Sequence, residues 1–203
     1  MQIRKFRAED LEAVLDIHMF AFSEHINVLL GRKYNREMLR WFMNENCVYF
    51  VAVDENDKVI GYVFGAPWGY QQRMNRDLVK LAAVEMLKRP WIFFNKKLFR
   101  IVWIRLKTLL GINKMLTTTE KLYPGKIISM VGMGIAKGTL RKGIGVALYE
   151  AALDEARKLG YNYSRGTVNK TNMRSRGMHE KIGFQKEEAP PDLPTIGYYI
   201  KLQ

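Results

Sequence analysis

The chain has 203 residues, 48% of them apolar and 26% charged, with only 6 Pro and 16 Gly, which excludes a disordered or fibrous protein and provides for one sizeable core. A single cysteine, Cys47, excludes an internal disulfide, and with only His18, His25 and His179 beside it no zinc-ligand set can be assembled. The first residues, MQIRKFRAED, carry charge where an export signal needs an apolar run, so a cytoplasmic chain is expected, and the net charge of +13 points to anionic partners.

Residues 2–6 read as a strand, and Ala8 to about Phe22 as a helix with Leu11, Val14, Leu15, Ile17 and Met19 among its apolar positions. Arg36–Met43 reads as a second helix. The apolar, β-branched and aromatic run Cys47–Val53 is answered by Lys58–Phe64 across Asp54–Asp57, the pattern of a hairpin. After Pro67 the texture becomes basic and aromatic without strand alternation. Two helices broken at Pro90 are expected here, forming an insertion at about 68–125 in an otherwise single domain of 1–203.

That insertion holds most of the charge. Trp68–Lys126 carries 13 Lys and Arg against Asp77, Glu85 and Glu120, which is +10 of the net +13. Such a surface suits an anionic membrane surface or an acidic carrier protein, with the chain peripheral to the membrane in the first case, and suits nucleic acid less well. Trp91–Gly111 approaches the length of a membrane span, but it contains Lys96, Lys97, Arg100, Arg105 and Lys107. At roughly 2.5 to 3.5 kcal/mol per central cation, burial in lipid costs on the order of 10 kcal/mol, so this segment is not expected to cross a bilayer.

Ile127–Ile135 is strand-like, KGTLRKGIG is a glycine-rich turn, and Ile144–Leu159 is a helix stopped by Gly160. Its stripe of Ile144, Ala147, Leu148, Ala151 and Ala152 has the spacing that packs a helix on a sheet. A strand at Tyr161–Val168, a helix at Asn172–Lys181 and a strand at Ile196–Leu202 complete the reading. A glycine loop feeding a helix start presents unpaired amides to a phosphate, with Gly143 and Gly145 clearing the backbone and Arg141 and Lys142 adding charge. A triphosphatase loop is excluded because neither Gly138 nor Gly143 precedes Lys-Ser or Lys-Thr, and Gly132 and Gly134 lack the dinucleotide spacing.

LRKGIGVAL, followed by VNKTNMRSRGMHEKIGF, resembles the acyl-CoA binding core of the GNAT superfamily of N-acyltransferases. The family's loop begins with Arg or Gln where Leu140 stands here, and Arg141 is the adjacent cation. Asn172, Ser175 and Met178–Phe184 follow the family's second block. The opening IRKFRAEDLEAVLDI and the hairpin VAVDENDKVIGYVFG resemble its first half, leaving the basic segment outside the match.

The resemblance implies an α/β fold with a mixed, largely antiparallel sheet flanked by helices. It implies acetyl-CoA or another acyl-CoA as cosubstrate, no metal, and a small-molecule amine as acceptor. Cofactor contacts are expected from Arg141, Lys142, Gly143, Ile144, Gly145 and Val146, from Asn172, Ser175 and Arg176, and from Met133, Gly134 and Ile135. In that last group, a bulge near Gly134 or Ile135 would expose the amide that polarises the thioester. His179 stands where the family's tyrosine protonates the CoA sulfur, and Asn172, Ser175, Arg176 and His179 share a helix face.

The strand 127–135 lacks the carboxylate that many relatives use as a base, so Glu24 and His25 are the candidates. The insertion would overhang the acceptor entrance and select an anionic acceptor such as a nucleotide-linked amino sugar, or dock an acidic carrier or membrane. A homodimer is compatible with the sequence as well. The rival reading is a basic membrane- or nucleic-acid-binding module on a degenerate acyltransferase core.

Overall fold

Hydrogen-bonded strands set the frame in the computed structural model, which describes residues 1–23, 25–44, 46–89, 123–139, 143–187 and 193–203. In chain order the elements are β1 (Gln2–Lys5), a 3-10 turn (Ala8–Asp10), α1 (Leu11–Ala21), α2 (Ile26–Leu29), α3 (Gly31–Trp41), β2 (Val48–Val53), β3 (Val59–Pro67) and α4 (Tyr70–Leu87). They continue with β4 (Ile127–Ile135), α5 (Ile144–Lys158), β5 (Tyr163–Asn169), α6 (Met173–Ile182), β6 (Gln185–Lys186) and β7 (Thr195–Lys201).

These strands make one sheet in the order β1-β2-β3-β4-β5-β7-β6. Every pairing is antiparallel except β4 with β5. The expected mixed, largely antiparallel sheet is therefore present. β2 alternates between the two faces although it is buried throughout. Tyr49, Val51 and Val53 join Tyr62 and Phe64 under α1, α3 and α4, while Val48, Phe50 and Ala52 join Ile128 and Met130 under α5.

Several expectations need correction. The second helix starts at Gly31, five residues before the expected Arg36, and a short α2 precedes it. Gly31 takes φ +85°, and its carbonyl is held by the buried Asn35 side chain, a local start that the apolar pattern does not report. β3 runs to Pro67 rather than Phe64, and the two-residue β6 was not foreseen.

On α5 the buried face is Ile144, Leu148, Tyr149, Ala152, Leu153 and Ala156, with Ala147 and Ala151 only partly covered. The helix is thus rotated toward Tyr149 from the expected stripe, because it must cover α6 as well as the sheet.

The bulge in β4 is not at Gly134 or Ile135. The register against β3 shifts between Gly132↔Phe64 and Met130↔Gly65, which leaves Val131 as the extra residue. Gly134 pairs regularly with Tyr62, and its missing side chain has a packing cause: a Cβ there would lie 2.5 Å from the Tyr62 ring.

α4 confirms the first helix of the basic segment, while Pro90 and the run Trp91–Gly111 lie outside the described residues. Among the described residues no helix is long and apolar enough to cross a membrane.

Candidate functional site

β4 and β5 pair only through Ile127–Ser129 and Tyr163–Arg165, yet β4 continues to Ile135 and β5 to Asn169. Two parallel strands that start together and then separate leave a fork whose walls, among the described residues, are unpaired main chain. The parity of β4 decides which groups face it. Ala136 N–H donates to the Ile60 carbonyl at 2.9 Å, so alternate residues below it turn to β3 while the peptide groups of Met133 and Ile135 turn into the fork.

The fork opens toward the start of α5. Gly143 adopts φ +74°, ψ 0° and no side chain among the described residues caps the helix, whose first internal bond is Ala147 N–H to the Gly143 carbonyl at 3.1 Å. The amides of Ile144, Gly145 and Val146 precede that bond and carry the positive end of a 15-residue helix dipole. A Cβ on Gly145 would sit 3.2 Å from Met178 Sδ and 3.3 Å from Met133 Cε, so side chains from α6 and β4 converge on the helix start. Leu140, Arg141 and Lys142 lie outside the described residues, as does Glu24.

At the start of α6 the expected cofactor residues are held by local hydrogen bonds. Asn172 Oδ1 accepts from Ser175 N–H at 3.1 Å, and Arg176 Nη1 donates to the Lys170 carbonyl at 3.0 Å. Of the four residues expected to share a helix face, His179 is buried. Its Nδ1 lies 2.7 Å from the Ser175 carbonyl and its Nε2 lies 2.9 Å from the Tyr149 hydroxyl. Burial lowers its pKa, with the Ser175 carbonyl acting in the opposite sense.

The opposite face of β4 is aromatic. Cβ atoms on Gly132 and Gly134 would meet the Phe64 and Tyr62 rings, and His18 Nδ1 lies 2.6 Å from the Tyr62 hydroxyl. His18 is buried and its ring stacks on Phe22 at 4.8 Å. Desolvation pushes its pKa down to about 4, with a smaller contribution from His25. His25 itself is exposed, precedes α2, and meets the Phe22 ring edge-on at 4.9 Å.

Where the fork begins, Arg165 makes a two-pronged pair with Glu187 at 2.5 and 2.6 Å. Glu187 also accepts from the Tyr123 hydroxyl at 2.9 Å, and the guanidinium lies over the Trp68 ring at 5.1 Å. Cys47 is half-buried, and burial pushes its thiol up to about 11, which leaves it protonated and a poor nucleophile. No group of His, Cys, Asp and Glu among the described residues could hold a metal ion.

Sequence reasoning missed Tyr149, the His18–Tyr62 pair and the Arg165–Glu187 pair. Tyr149 stands four residues from Gly145 and Leu153, so a wider apolar arc on α5 would have included it. No sequence signal pairs Arg165 with Glu187 across 22 residues.

A family model described as "Acetyltransferase (GNAT) family" matches residues 11–184. Among solved structures, the fold is similar to a phosphinothricin acetyltransferase from Sinorhizobium meliloti in complex with AcCoA, at TM-score 0.61 and 14% identity, over 98% of this chain and 87% of that one. It is also similar to yncA from Salmonella typhimurium with its cofactor acetyl-CoA, at TM-score 0.63 and 14% identity over 100% and 94% of the two chains. A third is ribosomal-protein-alanine N-acetyltransferase from Brucella melitensis, at TM-score 0.58 and 15% identity over 99% and 98%. At these identities the likeness is one of fold. No curated protein matches the chain.

Proposed function

The chain belongs to the GNAT acetyltransferase family and is an acyl-CoA-dependent N-acyltransferase, and from that premise we propose that it moves an acetyl group from acetyl-CoA to the amine of a small, anionic acceptor. The observation that carries the reading is the fork between β4 and β5 ending at the uncapped start of α5. A linear donor with amides along its arm and a pyrophosphate at one end matches that layout. The Met133 and Ile135 peptide groups would pair with the arm, and the Ile144, Gly145 and Val146 amides would take the pyrophosphate.

Arg141 and Lys142 supply charge beside those amides in this reading. Asn172, Ser175 and Arg176 border the same cleft from α6. The acceptor enters from the face of β4 covered by α1, where Glu24 and His25 were expected to serve as base and where His18 is the additional titratable group. Direct attack by the amine is favoured over an acyl-cysteine because the Cys47 thiol is held protonated. The 13 cations of residues 68–126 supply the attraction for an acceptor such as a nucleotide-linked amino sugar.

Thermal unfolding with and without CoA and acetyl-CoA tests the donor site before any acceptor is known. Ligand at 100 times its Kd stabilises the native state by about 2.7 kcal/mol. For a chain of this size that is a rise of several degrees. An unchanged midpoint with millimolar acetyl-CoA would remove the enzyme reading. The acceptor then follows from a screen of amino sugars, their nucleotide conjugates and simple amines, read by release of CoA thiol. Preference for neutral amines over phosphorylated ones would overturn the anionic-acceptor part alone.

A further inference from the structure

His179 has a partner at each ring nitrogen, and together they define its chemistry. The Ser175 carbonyl can only accept, so Nδ1 carries a hydrogen in both charge states. In the neutral ring Nε2 is bare and the Tyr149 hydroxyl donates to it. In the imidazolium, Nε2–H donates to the Tyr149 oxygen instead, and the phenolic hydrogen is released to point elsewhere.

Gly166 marks where it can point. A methyl group on Gly166 would lie 3.6 Å from the Tyr149 hydroxyl, 3.6 Å from His179 Nε2 and 3.6 Å from the Met130 carbonyl oxygen. Gly166 and Met130 are the first residues of β5 and β4 beyond their last pair, Ser129↔Arg165. Three polar atoms therefore surround a spot at the base of the fork that Gly166 leaves without a side chain.

We propose that Tyr149 and His179 form a two-residue relay that hands a proton to the sulfur of the departing CoA. This inference rests on the acyltransferase reading above. The amine nitrogen bonds to the acyl carbon, the carbon–sulfur bond breaks, and its electron pair stays on sulfur. Sulfur takes the Tyr149 hydrogen, and the Tyr149 oxygen takes the Nε2 hydrogen of the imidazolium. The neutral pair of the resting structure is thereby restored. The proton that the nitrogen sheds passes to solvent, and Nε2 takes one from solvent before the next turnover, so each turnover loses one N–H and gains one S–H.

Tyr149 is the group that meets the sulfur, and His179 is a positioning residue that holds the proton behind it. The titratable groups facing the imidazole are Tyr149 from α5 and Tyr198 from β7, whose hydroxyl donates to Glu180. No carboxylate is hydrogen-bonded to the ring among the described residues. The imidazolium therefore gains its stabilising negative charge when it develops on sulfur.

Nitrogen NMR of the full chain tests this by titrating His179 alone, with CoA, and with desulfo-CoA, which lacks the sulfur. The Tyr149 hydrogen is free to meet the sulfur only when Nε2 carries a hydrogen of its own, so CoA is expected to raise the His179 pKa by about half a unit while desulfo-CoA leaves it unchanged. Tyr149→Phe should still bind CoA and should lose the rise. Gly166→Ala, which adds one methyl at contact distance without backbone strain, should also lose it, and serves if Tyr149→Phe does not fold. Equal responses to CoA and desulfo-CoA, or a rise that survives in either variant, would overturn the relay. Failure of the wild type to bind CoA would overturn the acyltransferase reading and the relay with it.

Discussion

The two glycines at the start of α5 differ in what they do, and substituting them separately tests the donor site. Gly143 sits at φ +74° with open space around its missing Cβ, so Gly143→Ala meets no atom but must hold a left-handed conformation. That costs about 1 to 2 kcal/mol of stability and lowers the melting temperature by several degrees. Gly145 has an ordinary backbone, but a Cβ there reaches within 3.2 Å of Met178 Sδ and 3.3 Å of Met133 Cε. Methionine side chains are flexible enough to give way. Gly145→Val therefore folds, and its branched side chain stands over the free amides. Losing one charge-assisted hydrogen bond from amide to phosphate removes about 1.5 to 3 kcal/mol, or roughly 10- to 150-fold in Kd. Calorimetric titration with CoA, after a melting curve has shown each variant folded, separates the effects. A folded Gly145→Val protein with the wild-type Kd would refute the placement of the pyrophosphate at this helix start.

Stability should fall on the acid side because of His18. Its pKa is held at about 4 in the folded chain against 6.5 in the open chain, so the unfolded state binds the extra proton as pH drops below about 6.5. The contribution is fully present above that pH and is lost toward pH 4, which amounts to about 2 kcal/mol between pH 7 and pH 5. Urea unfolding at the two pH values should show that loss in the wild type and a smaller one in His18→Gln; equal losses would show that His18 is not the group responsible. Gly134→Ala should cost about 1 to 3 kcal/mol, because its methyl would sit 2.5 Å from the Tyr62 ring and 3.0 Å from Ile17 Cγ2. A melting temperature within a degree of wild type would show that β4 carries slack at this position.

Local patterning was enough for much of this protein. The helix from Ile144 to its stop at Gly160, the glycine loop before it and the hairpin at Val48–Phe64 are written in residues a few positions apart, because helix periodicity and turn chemistry act over that range. The same holds for the two blocks that carry the family resemblance, and so the proposal of a phosphate site at Gly143–Val146 needs only the sequence. Its geometry was not. Whether β4 and β5 stay paired or part after Ser129, and whether the extra residue of β4 is Val131 or Gly134, are settled by register across strands, where a shift of one residue has no sequence signature of its own. Gly134 has the composition of a bulge and the function of a packing gap for Tyr62, a residue 72 positions earlier. His179 shows the same limit. Helical spacing placed it with Asn172 and Ser175, but its burial and its bond to Tyr149, 30 residues away, depend on how α5 and α6 settle over the sheet. A side chain's type and helical phase are set by its neighbours in the chain, whereas its protonation state and its hydrogen-bond partner are set by whatever the completed core packs against it.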